Sequence, residues 1–291
     1  MTMREDQIHL IIDSTCDIDD KLLEAYQVKI IPLIISINDV EYVDRQTLSS
    51  EDVYEAIKQD KRIKSSLPRA QDIIELFENY AMNNQRFIYI TFSSKMSGSY
   101  NLARGILEDV QSRYPGVKMA VIDSKSGALA TGLIVERALK VIESTDDFDA
   151  VCASIQHSVE HVHHIFMVND LTQLQKGGRI GLVTAKLGNA LKIRPIITVV
   201  DGSMKFLTQA HGTLKALKTV VSLTLEQQGA QSEKIGICYA DDRQLAEQVK
   251  SLLQDEIPSV PIEIQTIGSI LASHIGLEAV GVFFFDEGLT S

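Results

Sequence analysis

The sequence predicts an α/β protein: an N-terminal domain with a mainly parallel sheet flanked by helices, followed by a smaller mixed α/β C-terminal domain with an antiparallel hairpin. Two observations carry this expectation. Between Phe87 and Asp123 a strand, a helix and a second strand follow one another with short turns between them, a βαβ crossover whose strands must run parallel. Between Pro195 and Ala210 two apolar arms flank Asp201-Gly202, a pair that supplies the positive backbone angles of a tight hairpin.

With 291 residues and 45% apolar content, the chain can fill two modest cores. The expected division is 1–146, an α/β domain, and 147–291, a mixed α/β domain, with the border in the polar run Ser144-Thr145-Asp146-Asp147. The last strand could cross that border by returning to the first domain.

The elements follow in order. Ile8 to Asp13 is a continuous apolar run that reads as a buried strand, Asp19 to Tyr26 has helical periodicity, and Val28 to Ile37 reads as a second strand. Asn38-Asp39 turns the chain toward Glu41-Tyr42-Val43, and Ser49 caps a helix with apolar positions at Val53, Tyr54 and Ile57. A helix follows Pro68. Strand Phe87 to Thr91, helix Ser97 to Arg113 and strand Val117 to Ile122 form the crossover, and helix Gly127 to Glu143 covers the sheet. In the second half a helix begins near Asp149, followed by strand Ile165 to Val168, a short helix ending at Lys176-Gly177-Gly178 and a helix from about Leu182 to Leu191. After the hairpin come helices Thr213 to Gln228 and Arg243 to Gln254, with strands Lys234 to Tyr239, Ile262 to Thr266 and Gly281 to Phe285.

Composition narrows the function. A formal charge of -11 repels a phosphate backbone, and no basic cluster interleaved with aromatics offsets it, so nucleic acid is not expected as a partner. No window reaches the roughly 18 apolar residues of a membrane helix, and the polar start lacks a signal-peptide pattern, so a cytoplasmic location without membrane insertion is expected. Cys16, Cys152 and Cys238 are far apart and suggest neither disulfides nor zinc. No nucleotide-cradling glycine loop is present, and no cofactor is expected.

Three predicted strands of the first half end in hydroxyl-bearing loops that enter helices: Asp13-Ser14-Thr15, Ser93-Ser94 leading to Ser97-Gly98-Ser99, and Asp123-Ser124-Lys125-Ser126. Ligands bind at this edge of a parallel sheet, and hydroxyls and amides with few fixed cations suit a small carboxylate. Each loop alone is also explained as an ordinary N-cap, but the second carries four hydroxyls and a glycine in seven residues, more than one cap uses. Lys64-Ser65-Ser66-Leu67-Pro68 stays extended because Pro68 biases Leu67 away from helical angles, and its hydroxyls could reach the same crevice.

His157, His161, His163 and His164 do not have the His-Glu-x-x-His spacing, and the expectation is a solvated histidine face running into a strand, with no metal. His274 lies in an apolar, glycine-containing segment read as a turn. The rival function is a serine hydrolase of acyl esters using a loop serine and His274, although no Gly-x-Ser-x-Gly elbow is present.

The chain resembles the DegV family, bacterial proteins that serve as fatty-acid-binding subunits of fatty acid kinase. The resemblance rests on Asp13-Ser14-Thr15-Cys16-Asp17, Lys64-Ser65-Ser66-Leu67-Pro68, Phe92 through Tyr100, Gly177-Gly178-Arg179-Ile180, Leu191-Lys192-Ile193-Arg194-Pro195-Ile196 and His274-Ile275-Gly276, in that order. It implies a non-catalytic carrier that holds one long-chain fatty acid in an internal apolar tunnel and presents the carboxyl group to a kinase for acyl-phosphate formation. It further implies that Ser65, in place of the family's usual threonine, joins Ser93, Ser94 and His274 in holding the carboxylate, and that Arg179 belongs to a kinase-docking surface outside that site. The sequence departs from the pattern at Gly276-Leu277-Glu278-Ala279, where a Gly-Pro-Gly turn is usual, at Gly181, where serine is common, and at Leu67 and Arg69 beside the proline.

Overall fold

The structure, a computed structural model, describes residues 7–179, 192–227 and 231–287. The helix expected over about 182–191 lies outside them, as do Ile180, Gly181 and Leu191 of the family motifs.

Strands β1 (Ile8–Asp13), β2 (Lys29–Ile31), β6 (Arg86–Thr91) and β7 (Met119–Asp123) form a wholly parallel sheet in the order β2-β1-β6-β7. Helices α1 (Asp20–Ala25), α3 (Ala70–Met82), α4 (Ser99–Arg113) and α5 (Ala128–Ser144) fall among them in the chain. Phe77, Tyr80, Phe87 and Tyr89 pack with α4 residues such as Ala103 and Val110 on one face of the sheet, where burial of aromatic area supplies most of the cohesion.

The run Val28 to Ile37 is not one strand. Pro32 lacks the amide a central strand would donate, and the chain breaks there into β2 and β3 (Ile34–Ile37). Strand β3 leaves the parallel sheet and pairs antiparallel with β4 (Val40–Val43) and β5 (Ile63–Ser66), making a small separate sheet in the order β4-β3-β5. Between β4 and β5, α2 (Ser50–Lys58) begins with the expected Ser49 cap, whose hydroxyl accepts from Asp52 N at 3.2 Å while Asp52 Oδ2 accepts from Ser49 N at 2.9 Å.

The second half builds a six-stranded mixed sheet, β10-β9-β8-β13-β11-β12, from β8 (Val162–Met167), β9 (Ile193–Val200), β10 (Ser203–His211), β11 (Ile235–Tyr239), β12 (Ile262–Thr266) and β13 (Val280–Phe285). Only β11 and β12 pair in parallel. The last strand, β13, lies inside this sheet between β8 and β11. The hairpin of β9 and β10 turns at Asp201 and Gly202, both at positive φ (48° and 77°), as expected. Helices α6 (Phe148–His161), α7 (Thr172–Lys176), α8 (Thr213–Glu226), α9 (Arg243–Glu256) and α10 (Ser269–Ile275) complete the described elements.

Helix α5 is buried nearly all round over its first three turns. One continuous core joins it to Leu10, Ile12, Ile88 and Ile90 of the parallel sheet and to Val162, Phe283 and Phe285 of the mixed sheet. The helix is therefore a shared layer, and the carboxyl edge of the parallel sheet faces the β9–β10 hairpin across a seam. Across that seam Ser93 Oγ donates to Gly202 O at 2.7 Å; beside it Gly268 N donates to Asp17 Oδ1 at 3.0 Å and Tyr54 Oη of α2 donates to Ile267 O, just before α10, at 2.5 Å.

Tyr54→Phe strands a buried carbonyl without changing the packing, so it is expected to lower the unfolding free energy by about 1 to 3 kcal/mol. Urea denaturation of the two proteins checks this; equal midpoints would show that the bond carries no net stability.

Candidate functional site

The loops after β1, β6 and β7 converge at one edge, but their polar groups divide into two kinds. Asp13 is fully buried, and its carboxylate accepts from Phe92 N at 2.7 Å, Thr15 N at 3.0 Å and Thr15 Oγ1 at 2.5 Å, tying the first loop to the second. Ser14 Oγ accepts from Leu33 N at 3.0 Å, and Ser124 Oγ donates to Ser126 O at 3.1 Å. These hydroxyls of the first and third loops are occupied in holding turns. Asp123 does the same for the second loop, accepting from Ser94 N and Lys125 N, each at 3.0 Å.

The second loop and β5 border an interior cavity of about 160 Å³ lined by Ser65, Ser66, Ser97, Arg179 and His274, together with Leu33, Leu67, Phe92, Met96, Met204, Ile270, Leu271 and Ile275. A further cavity of about 70 Å³ adjoins it on the side of the mixed sheet, the two sharing Phe92, Met96, Met204, Leu271 and Ile275 as lining. A polar mouth thus stands next to an apolar interior, at the seam where the two sheets meet.

Ser65 and His274, far apart in sequence, meet at the mouth with Ser65 Oγ 2.7 Å from His274 Nε2. Burial, aided by the Arg179 cation, lowers the His274 pKa to about 4, so the imidazole is neutral at physiological pH. Its other nitrogen, Nδ1, is buried and has no partner among the described residues. A neutral imidazole has one donor and one acceptor nitrogen; with the proton on Nε2, Ser65 accepts from the ring and its own hydroxyl proton is free to point into the mouth.

His274 does not sit in a turn. It belongs to the last turn of α10, a seven-residue helix bracketed by Gly268 and by Gly276 at φ 82°. The two flanking glycines are the signal for this helix in the sequence, and the seven apolar and small residues between them are too few to reveal a period. Gly177, at the end of α7, explains one half of the glycine pair before Arg179: a Cβ there would lie 2.3 Å from His274 Nδ1, so a side chain would push the imidazole away from Ser65.

The remaining predicted residues are distributed as follows. Ser93 is fully buried behind the mouth, its hydroxyl donating to Gly202 O and accepting from Lys95 N at 3.2 Å. Ser94 is half-buried and lines neither cavity. Arg179 lines the mouth itself, with Nη1 donating to Gly177 O at 2.8 Å, so its side chain shares a wall with Ser65 and His274. Ser66 and Ser97 were not singled out as head-group ligands from the sequence, yet both line the mouth; Ser97 belonged to the hydroxyl-rich loop that drew attention there.

Of the four clustered histidines, three fit the expected half-exposed face. His161 Nδ1 lies 2.9 Å from Asp286 Oδ1 and His163 Nε2 lies 3.0 Å from Asp286 Oδ2, while His157 contacts Glu287. His157, His161 and Glu287 could together offer three ligand atoms to a metal, all within 4.8 Å of one another. His164 departs from the expectation: it is buried, because alternation along β8 turns it inward, and it lines the apolar cavity.

The α/β frame thus carries an apolar cavity beside a mouth lined by hydroxyls, an imidazole and a guanidinium. The pattern of one protein family, described as "Uncharacterised protein, DegV family", matches residues 7–287, and the chain belongs to the DegV family. Among curated relatives, a DegV domain-containing protein of Clostridium perfringens is 29% identical over 284 residues, covering 96% of this chain and 99% of its own. The fold is similar to that of a fatty-acid-binding DegV family protein from Thermus thermophilus, with TM-score 0.85 and 23% identity over 96% of this chain and 99% of that one. It is similarly close to the Streptococcus pneumoniae fatty acid kinase B3 protein loaded with linoleic acid, with TM-score 0.84 and 21% identity over 97% and 100% of the two chains. No described helix is long and apolar enough to cross a membrane.

The depressed His274 pKa has a consequence for stability. As pH falls from about 6.5 toward 4, the unfolded imidazole takes up a proton that the folded one refuses, so stability is lost over that interval, by at most about 3 kcal/mol from this group. His274→Gln is therefore expected to show a smaller drop in urea midpoint between neutral pH and pH about 4.5 than the parent; an identical drop would mean that His274 does not titrate in this way.

Proposed function

We propose that the chain is a carrier that binds one long-chain fatty acid, with the acyl tail in the apolar cavity and the carboxyl group at the mouth, and presents that group to a fatty acid kinase for conversion to an acyl phosphate. The observation that carries this reading is the adjacency of the two cavities, which share five lining side chains, the first polar at the Ser65–His274 end and the second lined almost wholly by carbon. The solved relatives named as fatty-acid-binding or loaded with a fatty acid support it.

The energetics divide between the two ends. Each methylene moved from water into the tunnel contributes about 0.8 kcal/mol, so the tail supplies affinity in proportion to its length. The head must keep its hydrogen bonds or lose the solvation of a carboxylate, and it is assigned to Ser65 and His274, with Ser93 behind them; Ser94, which lines neither cavity, is left out of the assignment. Ser93 can join only by exchanging its bond to the Gly202 carbonyl, which makes the β9–β10 hairpin the part of the seam that adjusts when the site fills. Arg179, at the rim, gives the outgoing carboxylate or acyl phosphate a cationic neighbour and is assigned to the face the kinase meets.

The hydrolase reading also draws on the Ser65–His274 contact, since a serine 2.7 Å from an imidazole nitrogen has the spacing of a nucleophile and its base. The imidazole here lacks an acid partner on Nδ1 among the described residues and is a weak base, so it is poorly equipped to accept the serine proton. The purified protein is expected to release no product from acyl esters.

Lipids extracted from the purified protein should contain a free fatty acid in a one-to-one ratio by mass spectrometry; an empty or differently loaded protein would overturn the proposal. Ser65→Ala should weaken fatty-acid retention by about 1 to 3 kcal/mol in a displacement titration. Arg179→Gln should keep most of the bound acid while acyl-phosphate formation by the cognate kinase falls. Parallel loss of retention and phosphorylation would reassign Arg179 to the head-group site.

A further inference from the structure

The apolar cavity has one anomaly. All of its lining side chains among the described residues are hydrocarbon, aromatic or thioether except His164. This histidine is only 4% exposed, and neither ring nitrogen has a hydrogen-bond partner among the described residues. Its one specific neighbour is Phe283, the residue opposite it on β13, whose ring meets the imidazole edge-on with centroids 5.8 Å apart at 87°. Such a contact replaces a hydrogen bond only weakly.

The adjacent residue shows what a histidine on this strand looks like when it is satisfied. His163 points to the other face, stacks on Phe284 at 5.3 Å and reaches Asp286 Oδ2 at 3.0 Å. Among the described residues His164 has no such carboxylate, backbone carbonyl or hydroxyl as a hydrogen-bond partner. A leucine or phenylalanine would line the tunnel without stranding two polar atoms, and burial already holds the ring neutral, its pKa lowered to about 3. A neutral imidazole offers one N–H donor and one bare acceptor nitrogen, and an alcohol can meet either. The missing partner can come from the ligand, because the cavity that His164 faces adjoins the one whose mouth carries Ser65 and His274 and shares five lining residues with it.

We infer that His164 is a tail-recognition residue, and that the preferred ligand is a long-chain fatty acid carrying a hydroxyl group along its chain, which hydrogen-bonds to the His164 imidazole. This inference rests on the carrier reading and names the class of acyl chain the carrier selects. The hydroxyl lies part-way down the chain, since Phe92, Met96, Met204, Leu271 and Ile275 stand between the mouth and His164. A plain saturated chain fills the same tunnel but leaves the imidazole unpaired.

The test is direct binding to the full, delipidated chain of octadecanoic acid and of a positional series of its mono-hydroxy derivatives, followed by calorimetry or native mass spectrometry. One mid-chain isomer is expected to bind roughly tenfold more tightly than the plain acid, the ratio that corresponds to about 1.4 kcal/mol. His164→Phe should abolish or invert that preference while retaining the plain acid, with His164→Leu as the second variant should the larger ring disturb packing. Imidazole nitrogen chemical shifts of the parent protein should move for the preferred isomer and not for octadecanoic acid. If the plain acid binds as well as every hydroxylated isomer, the inference is overturned and the carrier reading stands. If no acid of either kind binds, the carrier reading fails and the inference falls with it.

Discussion

The hydrogen bond between Ser65 and His274 is the constraint on which the candidate site depends, because it sets the polar end of the mouth where β5 and α10, already packed together through Ile270 and Ile63, meet. Ser65 comes from β5, an edge strand of the small antiparallel sheet, and His274 from the last turn of α10. The bond needs the imidazole held in place, and a close approach by α7, which only a residue without a side chain permits at Gly177. Each requirement belongs to a different segment. The site is therefore a property of the assembled seam and of no single motif.

The layering explains why the seam is hollow. Helix α5 is packed on both sides, so the parallel and mixed sheets cannot close directly on one another. Beyond its amino end the two are bridged instead by the second hydroxyl loop, the β9–β10 hairpin and α10. Flexible or flat apolar side chains at that bridge, Met96 and Met204 with Phe92, leave space that straight β-branched packing would fill. The polar groups at the edge are mostly consumed in fixing the loops, with Asp13 as the hub. Fixing the loops with a buried carboxylate keeps the hydroxyls at the mouth available without demanding a cation for each.

Much of this architecture was legible in the residues. The βαβ crossover, the Asp201-Gly202 hairpin and the Ser49 cap follow from local chemistry and appear where local chemistry places them. The failures have a common cause in non-local context. Val28 to Ile37 reads as one apolar run, but Pro32 splits it between two sheets. Helix α10 is too short to show a period, and its glycine brackets count as evidence only when read together. Ser93 and Ser94 are adjacent and alike in sequence, yet one is buried against the hairpin and the other lines neither cavity, while Ser97 reaches the mouth. Which side chains line a tunnel depends on packing between segments far apart in the chain, and so the position of Arg179 on the mouth wall was not readable from its motif.

The same considerations separate holding a carboxyl group from attacking an ester. A serine becomes a nucleophile when a basic imidazole can take its proton and a third group steadies the resulting cation. Burial beside Arg179 works against that cation here, and Nδ1 has nothing among the described residues to stabilise it. Those features disable a base but suit a hydrogen-bonding platform, because a neutral ring with its proton on Nε2 donates to Ser65 and leaves that hydroxyl proton free to point into the mouth. An uncharged ring beside Ser65 brings no full positive charge of its own to the interior, so among the described residues lining the mouth the cation is the Arg179 guanidinium, which shares that wall.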